Sequence, residues 1–305
     1  MSALTLVFAG ESVGLRMWRR FLRHRLAVAS ALFLLVLGAI AFAAPLSEAV
    51  LGFDGEQVDL LSRMAPPSLA HPLGTDELGR DLFIRLSYGG QVSLAVAMVA
   101  AVFSAVIGTL LGLLAGYFGG RLDSLLMRFT DGVISLPLLP LLIVLAAIDL
   151  EKLGLSAEIA GSENIALYRI IAIIALVGWT TVARLVRAET LALKNRDFVR
   201  AAVALGASAP AIIFRHILPN SISPIIVATT LSVGNIILLE SVLSFLGMGI
   251  QPPIASWGNM LTNAQDLMWS APALAVWPGL MIFSTVIAFN FLGDGLQDAL
   301  DPRAL

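Results

Sequence analysis

The chain has 305 residues, 58% of them hydrophobic and only 13% charged, with a net charge of −2. Soluble domains carry about 25% charged residues, so this composition suits a lipid solvent, and its balanced charge offers nucleic acid no basic surface. It has no cysteine, which excludes disulfides and thiolate metal sites, and neither of its two lysines, Lys152 and Lys194, precedes the Ser or Thr of a Walker A loop.

A spanning helix needs about 20 apolar residues. Six segments meet that need: Leu26–Ala44, Ser93–Tyr117, Val133–Ile148, Ile165–Ala183, Ile222–Leu246 and Pro272–Leu292. The resulting expectation is an all-α integral membrane protein in three parts. Residues 1–25 form a cytoplasmic segment, 26–293 the transmembrane domain and 294–305 a cytoplasmic tail. Within the domain, residues 45–92 form an outer loop and 184–221 a cytoplasmic loop.

Five arginines precede the first span, and Ala41-Phe42-Ala43 near its end is similar to a signal-peptidase site. The apolar run exceeds the 7–15 residues of a signal core, which favours an uncleaved anchor. With the N-terminus inside, 14 of the 19 lysines and arginines fall on the cytoplasmic side and 5 on the outer side. That asymmetry places both termini in the cytoplasm.

In the outer loop, Thr75 is expected to cap a helix opening with Asp76 and Glu77, and Asp81 and Arg85 to pair at i,i+4. His71, Asp76 and Asp81 would offer nickel one imidazole among carboxylates, a poorly selective set. The structural alternative is an external amphipathic helix that touches another protein. In the second span, Gly108, Gly112 and Gly116 repeat every fourth residue, a small-residue face that lets another helix approach.

The cytoplasmic loop contains "RAAVALGASAPAIIFRHILPN", residues 200–220. Arg196 to Leu205 reads as a helix with Phe198, Val199, Ala202 and Leu205 on one side. Asp197, Arg200, Ala201 and Ala204 form the other side. Gly206 ends that helix with φ > 0, and Ser208 caps a second one, with Pro210 in its first turn and a stop at Pro219. Two short helices hinged at Gly206 make a docking element; a loop lying on lipid headgroups is the alternative. Farther on, Glu240 is an acid inside the fifth span, read as a hydrogen-bonded lock near the outer gate, with proton coupling as the alternative. Trp257, Trp269 and Trp277 are read as interface markers. Asp294, Asp298 and Asp301 read as a polar tail ended by Pro302.

"DFVRAAVALGASAPAIIFRHILPN" resembles the EAA loop of bacterial ABC-importer permeases. "HPLGTDELGRDLFIRLSYGGQVSL", "LSFLGMGIQPPIASWGNML" and "LGDGLQDALDPR" resemble the C-type permease of dipeptide, oligopeptide and nickel importers. The resemblance implies a type I importer permease fold and a non-catalytic subunit. It also implies a heterodimer with a B-type permease, two ATP-binding subunits that carry ATP and Mg, and an external substrate-binding protein. On the matching positions, ATPase coupling would involve Arg200, Ala201, Ala202, Gly206, Ser208, His216, Leu218 and Pro219. Arg200 departs from the family, whose loop has a glutamate there, so a contact made by that carboxylate does not carry over. Peptides or related small solutes are the expected cargo, with nickel as the alternative. A secondary transporter would call for paired midplane charges, and an intramembrane hydrolase for His-Glu-x-x-His or Gly-x-Ser-x-Gly; neither pattern is present.

Overall fold

A computed structural model describes residues 13–301 apart from 161, 163 and 263. Most of the N-terminal segment's first half, and Pro302 and Arg303 of the tail, lie outside the described residues. The described residues form a helical bundle. Its opening helix α1 (Val13–Arg23) packs on the end of the last helix, and α2 (Arg25–Phe42) follows after His24, whose Nδ1 accepts the Ala27 N–H at 3.1 Å. The side chain supplies the acceptor that the first turn of a helix lacks. α3 (Ala44–Leu51) then leads into an irregular segment.

α4 (Leu82–Phe118) has 37 residues, about 55 Å at 1.5 Å per residue, and so outruns the bilayer core of about 30 Å. Its first three turns carry Arg85, Ser87, Tyr88 and Gln91, which is why the apolar run begins only at Ser93. α5 (Gly120–Ser135) and α6 (Leu138–Ala146) stand where one third span is expected, and they are bent by 88° at Leu136-Pro137. Proline disfavours the α conformation in the residue before it, and Leu136 is accordingly extended, with ψ 138°. Among the described residues five helices are long and apolar enough to span, and the bent pair makes a sixth span if taken as one.

After the short α7 (Ala157–Ala160), α8 (Ile165–Lys194) runs three turns past the expected end of the fourth span. α9 (Asp197–Ala204) and α10 (Ala209–Ile212) flank Gly206, and a π-turn at Ile213–Ile217 joins α10 to α11 (Leu218–Phe245). Pro219 does not stop the second loop helix. It sits in the first turn of α11, and its missing N–H falls where the ladder has already widened to π geometry. The second helix is therefore the beginning of the fifth span. α12 (Ala264–Leu267) is one turn, and α13 (Ala273–Leu300) carries Asp294 and Asp298 on its final turns rather than in an extended tail.

α4 lies along α8, and α13 packs between α2 and α11. The larger apolar core joins α4, α8, α11 and α13 around Leu94, Ala97, Ile174, Ile237 and Leu243. A smaller core holds α9 and the π-turn against α4 and α8. Gly90 near the start of α4 lies against Ala41 near the end of α2, so the start of α2, where His24 meets Asp298 of α13 (3.8 Å), shares an end with Tyr117, whose carbonyl accepts from Lys194 Nζ. Below, the two ends are named for Gly206 and Trp257.

Candidate functional site

Between the two ends runs the seam of α4 and α8. At Gly108, Gly112 and Gly116 an added Cβ would lie 2.6 Å from the Trp179 carbonyl oxygen, the Ala183 carbonyl oxygen and Thr190 Cβ. Real Cβ contacts do not come that close, so the helix axes sit at a separation that only glycine permits there.

At the Gly206 end, Gly206 has φ 82°, its N–H bonds to Val203 O (2.9 Å), and Ala207 N–H reaches Ala202 O (3.0 Å). This left-handed helix stop favours glycine. Ser208 occupies the cap position of α10 with φ −70° and ψ 154°, but its hydroxyl makes no capping bond. Of the side expected to be apolar, Val199 and Ala202 are buried while Phe198 and Leu205 are exposed, Leu205 at 89%. Ile212, Ile213 and Ile217 anchor the element from beneath. Arg200, Ala201, Val203, Ala204 and Phe214 face outward. Leu218 packs at the edge of the small core, Pro219 is exposed, and His216 is half-buried, 6.5 Å from the Phe198 ring. Of the sequence-derived residues, Arg200, Ala201, Gly206, Ser208 and Pro219 are exposed and His216 is half-buried, whereas Ala202 is buried and Leu218 packs on the small core.

The Trp257 end has the opposite chemistry. Glu240 is fully buried and accepts hydrogen bonds from Ser244 Oγ (2.7 Å) and Ser93 Oγ (3.2 Å). Only the first has the length of a strong O–H···O bond. Each hydroxyl in turn accepts a backbone N–H from the 246–261 segment: Ile250 N–H on Ser244 (3.0 Å) and Trp257 N–H on Ser93 (3.2 Å). Asn259 closes the same segment by donating to Ile254 O (2.7 Å) and accepting Ser256 N–H (2.9 Å). The carboxyl therefore holds a returning loop to α4 and α11 through two serines.

Trp257 is not an interface marker. It is fully buried and donates Nε1–H to Leu86 O at 3.0 Å. Its ring fills the space left by Gly90, where a Cβ would come within 2.9 Å of Cζ2. Trp269, by contrast, is 94% exposed. In the segment before α4, Thr75 caps no helix; it pairs with Asp81 in an isolated β-bridge. Asp81 caps α4 instead, accepting Ile84 N–H at 2.8 Å, and its other oxygen contacts His71 Nδ1 at 3.0 Å. Arg85 turns from Asp81 to Asp76 (3.3 Å), which also receives Arg80 (2.7 Å) and the N–H groups of Leu78 and Arg80. With Asp76 so occupied, His71, Asp76 and Asp81 do not converge, and no cluster of three metal-binding side chains occurs among the described residues.

Sequence reasoning missed Ser93, Ser244, Asn259 and Gly90. A serine one helical turn after Glu240 was the available sign, since i,i+4 places it on the same face.

Comparison with known proteins shows the family. Residues 108–305 match the model described as binding-protein-dependent transport system inner membrane component, and residues 12–67 match the N-terminal TM domain of oligopeptide transport permease C. The chain is 43% identical over 287 residues to the glutathione transport system permease protein GsiD of Pectobacterium atrosepticum, covering 94% of this chain and 90% of that one. It is likewise 43% identical to GsiD of Escherichia coli O6:K15:H31, covering 94% and 89%. A solved amino acid ABC transporter with histidines aligns at a TM-score of 0.49 and 16% identity over 70% of this chain and 90% of that one, too distant to argue from.

Proposed function

The chain belongs to the binding-protein-dependent transport system inner membrane components, as a multi-pass C-type permease subunit of an ABC importer, and we propose that it forms half of a translocation pathway for small peptides or peptide-like solutes. The other half would be a B-type permease, with two ATP-binding subunits holding ATP and Mg, and an external binding protein delivering the solute. This chain performs no covalent step itself. ATP binding and hydrolysis on its partners shift its helices between two packings, which requires a surface whose contacts differ between them.

The observation that carries this reading is the Gly206 surface. Phe198, Val203, Leu205 and Phe214 are exposed on short helices that are pinned from below by a separate apolar core. An anchored element with an uncovered apolar face suits a groove on another protein. We place the ATP-binding subunits there and both termini in the cytoplasm, consistent with the arginine and lysine asymmetry. The glycine seam of α4 and α8 is read as the stiff strut between the two ends. The relatives named for glutathione, a tripeptide, make short peptides the class to test first.

The test is reconstitution of the four kinds of subunit in liposomes. ATP-dependent uptake of a labelled di- or tripeptide supports the reading; uptake that persists without the ATP-binding subunits overturns it. In the same liposomes, an impermeant thiol reagent should label Leu61→Cys and Ser208→Cys from opposite sides, and labelling from the same side overturns the orientation.

A further inference from the structure

α5–α6, α8 and α11 enclose a groove on one flank of the bundle, lined by apolar side chains with Gly178, Thr181, Arg184, Ser232 and Asn235 among them. Two properties of this groove are incompatible with hydrocarbon, and a third suits an aqueous mouth. The first is the backbone. The break at Leu136-Pro137 leaves α6 with no side-chain cap, and in hydrocarbon such irregular backbone is tolerated only where it is covered by protein or faces water.

The second is the polar side chains. Asn235 lies ten residues before Phe245, about 15 Å along α11 and so near the middle of a span. It is exposed, and its amide makes no side-chain hydrogen bond among the described residues. Thr181 is exposed in the middle of α8 and likewise has no hydroxyl partner there, unlike Thr229, Thr230 and Ser232, which bond back to the carbonyl four residues earlier. The third is charge. Arg184 pairs with Asp131 on α5 at the groove's Gly206 side, and both side chains are about half exposed, at 49% and 59%. Unsatisfied polar groups within spans face protein or water, and this ion pair, just past the expected end of the fourth span, suits an aqueous mouth to the groove.

We infer that this groove is the water-filled wall of the solute path and that the Asn235 amide and Thr181 hydroxyl hydrogen-bond the peptide units of the passing solute. This rests on the permease reading above and assigns it residues. An amide offers both a carbonyl acceptor and N–H donors, so Asn235 matches either half of a peptide unit whatever the side chains are. The apolar remainder of the wall tolerates side chains of many shapes. The Arg184–Asp131 pair presents both signs at the Gly206 side, which suits a solute carrying an amine and a carboxylate.

The chain has no cysteine, so single substitutions report cleanly. In the reconstituted transporter, a small cationic methanethiosulfonate should label Thr181→Cys and Asn235→Cys but not Val102→Cys, which sits in a wholly apolar exposed stripe of α4. Asn235→Leu should lower dipeptide uptake about ten-fold, the order of effect of one amide's hydrogen bonds, while peptide-loaded binding protein still stimulates ATP hydrolysis. Asn235→Gln should retain at least half of the uptake. Failure of both cysteines to react with and without ATP, or full uptake by Asn235→Leu, overturns the inference. Either result can occur while the parent transporter works, whereas loss of ATP-driven uptake by the parent would count against the permease reading itself.

Discussion

The segment 246–261 at the Trp257 end and the segment 195–217 at the Gly206 end each join or follow spanning helices, but they are held by opposite means. The first is stitched by hydrogen bonds that Ser93 and Ser244 accept from its backbone and that Asn259 and Trp257 donate, with Glu240 beneath them. Its polar groups find partners inside the chain, and its largest side chain is fully buried. The second has few such bonds. Isoleucines and a valine pin it, and it leaves Phe198, Leu205 and Phe214 uncovered. A buried polar network fixes one arrangement, because any shift leaves groups unpaired. An apolar contact slides at lower cost and accepts a second surface. One end is complete in itself, and the other leaves apolar surface uncovered.

The comparison is broken most forcefully at Trp257. Trp257→Ala removes a fully buried indole and its bond to Leu86 O, and truncations of that kind cost about 3–5 kcal/mol. The expected outcome is a large fall in the thermal unfolding midpoint of the detergent-purified complex, with proteolysis inside 246–261. Binding of the ATP-binding subunits should persist in the fraction that stays folded. An unchanged midpoint would show that the loop is not held by its tryptophan.

The same contrast explains what could be read from sequence. The long apolar runs, the glycine at 206 and the spacing of Gly108, Gly112 and Gly116 are local signals that one helix or turn expresses by itself. At the Trp257 end only Glu240 as a hydrogen-bonded acid was legible; its long-range partners were not, because those bonds join residues far apart in the chain: Ser93 to Glu240, Leu86 to Trp257. Asp81 shows the limit clearly. Its spacing to Arg85 fits an i,i+4 pair, yet capping Ile84 and meeting His71 occupy it, and Arg85 turns to Asp76. The third span was legible as an apolar run containing Pro137, but the 88° bend between α5 and α6 was not, since α5 also lies against α8 through Phe129 on Trp179 and Asp123 on Arg187.

A middle-sized effect is expected at Gly206. Nothing lies within 4 Å of a Cβ built there, so a substitution is opposed by backbone conformation alone, with φ at 82°. Gly206→Val should add about 1–3 kcal/mol of strain, leave membrane insertion intact and cut stimulated ATP hydrolysis severely. Gly206→Asn should keep more of that activity than Gly206→Ala, although it is larger, because asparagine enters the left-handed region more readily. If alanine outperforms asparagine, the joint does not depend on positive φ.

The smallest effect on the fold, and the most selective, is expected at Arg200. Its side chain is exposed on α9 and forms no ion pair among the described residues, so Arg200→Glu should change stability by no more than about 0.5 kcal/mol. Its effect should appear only when another surface covers α9. Reversing one charge beside a complementary groove replaces attraction with repulsion, and exposed pairs of this kind carry about 0.2–1 kcal/mol each. Stimulated ATP hydrolysis should therefore fall about two- to five-fold in Arg200→Glu and less in Arg200→Ala. Salt supplies the control, since the screening length shrinks from about 10 Å at 0.1 M to about 3 Å at 1 M. The deficit of the glutamate variant should narrow as salt rises to the highest level at which the complex stays assembled, whereas a deficit caused by a distorted helix would persist. Equal stimulation of parent and variant at low salt would mean that Arg200 faces open solvent in the assembled transporter, and that docking at the Gly206 end rests on its apolar residues alone.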